Sequence, residues 1–363
     1  IYSKNWDFSD VNSSYKTIID KIYFLEWGKN SDNFYFRVGS LPSITLGEGI
    51  LLQNYSNIMQ YPQIRKTGLN FKAKISDIYI EFIHSNLKVL EPSTIGLRVS
   101  YLLYPKLNMG FTYVTDLDQN MGLSQINNTL TTSVVDPISG IAIDFVYTIS
   151  DKVVLYSQFS KLIGEILNEE LGSGFVPFGI KSKWKFLDLF AEYRISSKRF
   201  IFSYWDRSYD LDRVVVDSEN SYYTKESQLD QYGNMSGIYF HSEIHMMNMF
   251  DWSISYQNMQ GDKKMNKELE SNKSNQNFMT AIKINTSLIP RLNIAEIFYQ
   301  QSNIENPFEF VPNSSTILGY NIGFEISPEV ELFYKGRTTY TMNTDTDSFI
   351  SNNSIQIETK FTF

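Results

Sequence analysis

The chain has 363 residues, of which 42 % are hydrophobic and 15 % aromatic, and this excludes a disordered protein. Cysteine is absent, which excludes disulfides, a thiolate nucleophile and a sulfur-ligated metal. With a net charge of −8, no basic face outweighs the acids, so no nucleic-acid partner is expected.

No apolar run reaches the ~18 residues of a membrane-crossing helix, and the opening IYSKNWDFSD does not have the basic-then-apolar form of a secretion leader. Residues 1–19 are polar with scattered aromatics (Tyr2, Trp6, Phe8, Tyr15). From Asp20 onward, period-2 alternation dominates, the signature of strands with unlike faces. IYFLEWGKNSDNFYFRVG reads as a hairpin, and SLPSIT as a tight turn into a strand LGEGILLQ. In TIGLRVSYLLY, Ile95, Leu97, Val99, Tyr101 and Leu103 share one face, while Thr94, Gly96, Arg98 and Ser100 share the other. GIAIDFVYTI and ILGYNIGFEI repeat the arrangement, as does the last segment, SIQIETKFTF, where Ile355, Ile357, Thr359, Phe361 and Phe363 oppose Gln356, Glu358, Lys360 and Thr362.

A soluble sandwich also alternates, but its strands run about 5–6 residues, against the 9–11 or so that cross a membrane. Here most segments reach membrane-crossing length, and the polar face carries glycine and charge while the apolar face is large and aromatic. The connections are of two kinds that alternate. Short ones fall at 74–77, 104–107, 150–152, 185–187, 247–249, 289–292 and 327–329. Long polar ones fall near 55–66, 86–93, 117–139, 163–173, 205–234, 260–275, 303–315 and 343–353. Counting gives about eighteen strands, with sixteen as the alternative if LGEGILLQ or the first strand is irregular.

From about Asp20 to Phe363 the chain resembles bacterial outer-membrane β-barrel proteins of the porin-like class. The most specific element is the end, Lys360-Phe361-Thr362-Phe363, since chains of this class finish on an alternating strand and a terminal aromatic read by the barrel-insertion machinery. The resemblance implies an all-β, closed, antiparallel up-and-down transmembrane β-barrel. It implies short periplasmic turns, long extracellular loops, both termini periplasmic, residues 1–19 as a periplasmic segment and 20–363 as the barrel. It also implies contact with outer-membrane lipid and lipopolysaccharide, and either a homo-oligomer or a complex with other proteins. Trp27, Tyr104, Tyr147, Trp184, Trp252 and Tyr340 lie near strand ends, as interfacial aromatic girdles do.

The alternation assigns lumen-facing charges. The candidate pore-lining residues are Arg37, Lys72, Lys74, Arg98, Asp144, Lys181, Lys183, Asp188, Glu192, Arg194, Glu243, Lys283, Glu325, Lys335 and Arg337. Glu81, Asp251, Glu296, Glu331, Glu358 and Lys360 fall on the same face. Such a wall either tunes selectivity or consists of mutually paired charges, and the balance of signs predicts no strong preference for cations or anions.

No catalytic, metal or cofactor site is expected. Of His84, His241 and His245, His241 adjoins Ser242, but strand neighbours point to opposite faces. Asp116-Leu117-Asp118-Gln119-Asn120 opens like a calcium loop yet lacks the sixth-position glycine and has Asn127 in place of the twelfth-position glutamate. Asp345 and Asp347 are weaker still. The charged, aromatic stretch 205–234 reads as a surface loop, with an inward-folded constriction as the other reading. A barrel of this size is expected to leave a wet lumen for passive diffusion of ions or small solutes. The alternative is a non-conducting barrel serving as an anchor or assembly partner.

Overall fold

A computed structural model describes residues 8–21, 24–60, 64–88, 94–120, 136–216, 221–246, 249–265, 268–284, 286, 289–327, 330–343 and 348–361. Phe363, Asp345, Asp347, Asn127 and residues 1–7 lie outside the described residues.

The protein is all-β apart from short helices. Among the described residues one sheet holds 17 strands. They are β1 (Phe24–Trp27), β2 (Phe34–Gly39), β3 (Gly68–Ile75), β4 (Ile78–His84), β5 (Thr94–Tyr104), β6 (Leu107–Asp116), β7 (Ile138–Ser150), β8 (Val153–Ile163) and β9 (Ser173–Lys183). There follow β10 (Leu187–Ser196), β11 (Tyr232–Met246), β12 (Phe250–Met265), β13 (Glu268–Ile284), β14 (Leu292–Ile304), β15 (Ile317–Ser327), β16 (Val330–Asn343) and β17 (Ser348–Phe361). Each strand pairs antiparallel with the next, an unbroken meander from β1 to β17.

The faces follow the alternation. On β17, Ile355 and Ile357 are 72 % and 59 % exposed, whereas Glu358 is buried and paired with Lys335 at 2.6 Å. Leu97, Val99 and Tyr101 on β5 and Ile143, Phe145 and Tyr147 on β7 are likewise exposed, while Arg98 and Asp144 between them are buried. The usual placement of apolar and charged side chains is reversed.

Three expectations are corrected. LGEGILLQ is not a strand, and its removal takes the count from eighteen to seventeen. β2 pairs directly with β3, Gly39 opposite Gly68 and Phe34 opposite Ala73, leaving no slot for it in the sheet. Gly47 and Gly49 break the extended backbone with φ of 59° and 88°. Second, the described residues of 260–275 and 343–353 are strand and not loop, because β12, β13, β16 and β17 run on as ladders into the polar zone, as far as Met265 opposite Glu268 and Asn343 opposite Ser348. Alternation fades there because both faces are polar. Third, the two ends of the sheet do not share a rim. Phe24 stands level with Gly39 and Gly68 at the long-connection rim, while Phe361 stands opposite Val330 beside a short turn.

Helix α1 (Val11–Lys21) precedes β1, and the Asp10 carboxylate caps it by accepting from the Ser13 backbone N–H at 2.9 Å. Tyr15 Oη donates to the Leu87 carbonyl, and the Ile19 carbonyl accepts from Thr67 Oγ1. Leu87 and Thr67 flank the long-connection ends of β4 and β3. The helix therefore sits at that rim.

Candidate functional site: the lumen and its inward-folded segments

Two connections fold against the charged, glycine-rich face of the sheet. The first runs from residue 40 to 67 and the second from 197 to 231, the stretch whose surface-loop reading is thereby overturned. Leu41, Leu46, Leu51 and Leu52 of the first pack with Phe200, Phe202, Tyr204 and Trp205 of the second. The two also share backbone bonds: Trp205 N–H donates to the Leu51 carbonyl at 3.0 Å, Gln53 N–H to the Trp205 carbonyl at 3.1 Å, and Ser203 N–H to the Ile50 carbonyl at 2.8 Å.

Inner-face glycines seat these segments. A Cβ on Gly96 would lie 2.6 Å from Leu46 Cδ1, and one on Gly174 would lie 2.2 Å from the Phe200 ring. Gly140 sits under Leu51 and Trp205. The glycine-rich inner face is therefore the negative imprint of the apolar runs ILL and FIFSYW. The pairing of small inner residues with apolar runs in the connections was the available sequence signal for the constriction. Met59 packs with Phe298 of β14 and Ile317 of β15, so the first segment reaches the opposite wall.

A short helix, α2 (Tyr209–Asp212), carries a buried ionic cluster at the joint of the two segments. Lys66 Nζ pairs with Asp210 at 2.8 Å, and Tyr55 Oη donates to the same carboxylate at 3.3 Å. Tyr209 Oη donates to Asp116 Oδ2 at 2.7 Å, with Arg213 Nη1 3.5 Å from that oxygen. Lys225 Nζ lies 3.3 Å from Asp206 and 3.2 Å from Asp212. Burial pushes Asp212 up to about 7, against the pull of Lys225. Burial also lowers Lys66, opposed by Asp210. Glu226 accepts from Gln119 Nε2 at 2.8 Å, and burial raises it to about 7.

The candidate pore-lining residues fall mostly into paired sets. Arg98 bonds Asp144 at 2.9 Å and lies 3.8 Å from Glu81, which also meets Lys72 at 3.2 Å. Arg98 lies flat over Gly110, where a Cβ would be 2.2 Å from its Nη1. Arg194 Nε meets Glu192 at 2.6 Å, and its Nη1 donates to Gln257. Lys181 pairs with Glu48 of the first inward segment, tying wall to constriction. Arg37 pairs with Glu26 at 2.7 Å. Lys183 lies 3.5 Å from Asp188, and Arg337 Nη1 lies 3.9 Å from Met59 Sδ. Lys74 and Lys283 are exposed near the short-turn rim, while Glu243 and Glu325 are half-buried.

A cavity of about 60 Å³ remains between the inward segments and β10–β14. Its lining includes Gln53, Asp206 and Arg207 from the segments and Arg194, Tyr239, Gln257, Asn277, Gln300 and Ser302 from the wall. Among the described residues, Arg194 Nη2 and Arg207 Nε have no hydrogen-bond partner. Sequence reasoning placed Gln53 at the end of a strand and gave Asp206 and Arg207 an inward position only as the second reading of 205–234, because alternation says nothing about connections.

His241 does meet a serine, but across the ladder: its Nδ1 is 2.7 Å from Ser255 Oγ, with its ring edge-on to Phe190. Among the described residues no carboxylate bonds its other ring nitrogen, so the pair lacks the third member of a catalytic triad. Outward-facing Trp27, Tyr104, Tyr147, Trp184 and Trp252 all lie close to short turns, forming one band at that rim.

No family model and no curated protein matches the chain. Among solved structures, Pseudomonas aeruginosa OccK5 (OpdH) aligns at 11 % identity over 94 % of this chain and 91 % of that one, with a TM-score of 0.39. The outer membrane protein opdK from Pseudomonas aeruginosa gives 9 %, 93 %, 91 % and 0.42 in the same order. Acinetobacter baumannii OccAB3 gives 12 %, 93 %, 90 % and 0.42. The site is accordingly read from its own residues.

Proposed function

We propose that the protein is an outer-membrane β-barrel channel through which small polar solutes diffuse passively, with the two inward segments setting its bore. One observation carries the reading: large apolar side chains cover the outside while charges are buried within. Ile355 is 72 % exposed, whereas Arg194 is 1 % exposed. In water that outer surface would be an aggregation hazard, but in lipid it is the required exterior. The aromatic band at one rim fits a membrane interface. In this reading the edge strands β1 and β17 close the barrel, and because an odd meander brings its first and last strands together in the same direction, that one pair is parallel.

The second reading, a non-conducting anchor, requires a sealed lumen. The polar cavity beside the constriction supports conduction instead, since amides, hydroxyls and two partly unpartnered guanidinium groups favour hydrated solutes over a dry plug. Purified protein in a planar bilayer should give steady, ohmic conductance steps. Silence from protein shown to be folded by heat-modifiable gel migration would overturn the channel reading and leave the anchor.

A further inference from the structure

We propose that Asp188, Glu243 and His245 form a binding site for a divalent transition-metal ion such as Zn2+ on the inner wall near the short-turn rim. The register of β10 and β11 sets Asp188 directly opposite Glu243, and His245 lies two residues further on the same face. One ligand atom from each falls within 4.8 Å of the others. Asp188 Oδ1 is shielded from water and accepts no hydrogen bond among the described residues; His245 Nε2 stands 3.9 Å away. That separation is too long for a hydrogen bond. It is close to the ~3.4 Å between two tetrahedral ligands on one ion, given Zn–N and Zn–O bonds of about 2.0–2.2 Å.

The surroundings orient the histidine as a ligand. Its Nδ1 lies 2.7 Å from Asp251 Oδ1, directly across the β11–β12 ladder. With the proton on Nδ1 shared with that carboxylate, the Nε2 lone pair faces Asp188, the carboxylate–histidine–metal arrangement that fixes a ligating ring. Lys183 engages only the other Asp188 oxygen, at 3.5 Å, through a side chain 77 % exposed. Three adjacent strands hold the set, so the ladder restrains its geometry before any ion arrives. Water completes the tetrahedron. The inference does not depend on conduction, and its test reads binding alone.

The test uses the full chain, untagged, folded in detergent and stripped with chelator. Zn2+ is titrated by calorimetry and Co2+ by its visible absorption. The expected result is one ion per chain, with the intense visible bands of four-coordinate Co2+. His245→Ala and Asp188→Asn should each weaken binding more than about 100-fold, and Asp251→Asn about 10–100-fold. Asp188→Asn is nearly isosteric, so it remains decisive should His245→Ala fail to fold. Absence of binding by the native chain at submillimolar Zn2+ would overturn the site, as would unchanged affinity in folded Asp188→Asn.

Discussion

Replacing Trp205 with alanine should undock the constriction while sparing the wall. Trp205 is fully buried, stacks edge-on against Tyr204 at 4.9 Å between ring centroids, and lies over Gly140. Trp205→Ala removes the ring and leaves a void, at a cost of about 3–5 kcal/mol. The wall strands keep their own ladders, so the loss falls on the docking of residues 40–67 against 197–231. At about 1.4 kcal/mol per tenfold change, the undocked population rises by roughly 100-fold to several thousand-fold. The backbone amides of Gln53 and Ser203 bond across the joint, at 3.1 and 2.8 Å, and report this directly. Their hydrogen exchange should accelerate by that factor, while exchange at Phe145 and Tyr147 in β7 stays unchanged. Single-channel conductance should rise and become noisier. Acceleration below about tenfold, or an equal acceleration at the wall amides, would refute the two-part construction.

Docking of the second segment should also depend on pH through Glu226. Burial pushes its carboxyl from the ordinary glutamate value of 4.5 up to about 7. The neutral form is thus favoured in the docked state, and this contribution is complete below about 4.5 and lost as pH rises through about 7. The protection factor of the Leu229 amide, which bonds the Glu226 carbonyl at 2.8 Å, should fall over that window once the intrinsic base-catalysed rate is divided out, and Glu226→Gln should abolish the fall. Arg98→Met strands Asp144 and leaves Glu81 with Lys72 alone, so thermal melting in detergent should show a loss of about 3–5 kcal/mol; a loss under about 1 would mean the set is not desolvated. Phe145→Arg, in mid-strand on the outer face, should cost about 2–4 kcal/mol in lipid bilayers, whereas a water-exposed site would change by only about 0.5, so a near-neutral result from equilibrium folding into liposomes would count against a lipid-facing wall.

The wall was legible in the sequence because its strands obey one rule over many residues. Leu97, Val99 and Tyr101 face out and Arg98 and Ser100 face in, as alternation alone requires. The partners of Arg98 were not legible, since they depend on register between β4, β5 and β7, and register is set by turns and ladders. The constriction was half legible. LGEGILLQ has strand-like composition, but Gly47 and Gly49 take left-handed backbone and both faces of the run become buried. Stretch 205–234 carried the right residues, yet whether aromatics and charges face water or a lumen is decided by what stands opposite. The metal-ligand set escaped notice for the same reason: Asp188 lies far from His245 in sequence and meets it only through the ladder.

The position of the cavity follows from the same inner faces. Along β5, β7 and β9 the inner residues Gly96, Gly140 and Gly174 are small, so apolar side chains of the segments press against the backbone and leave no room for water. Along β12 to β14 the inner residues are Gln257, Asn277, Gln300 and Ser302, whose amides and hydroxyls an apolar segment could not satisfy. Docking there would strand polar groups. The segments therefore pack flush along β5, β7 and β9 but meet β14 only through Met59 and Arg207 at Phe298, and the cavity lies beside those contacts. Arg194 and Arg207 stand on opposite sides of it, one fixed on the wall and one carried by the segment. In the channel reading, displacing the second segment would therefore alter the width of this cavity and the spacing of Arg194 and Arg207 together.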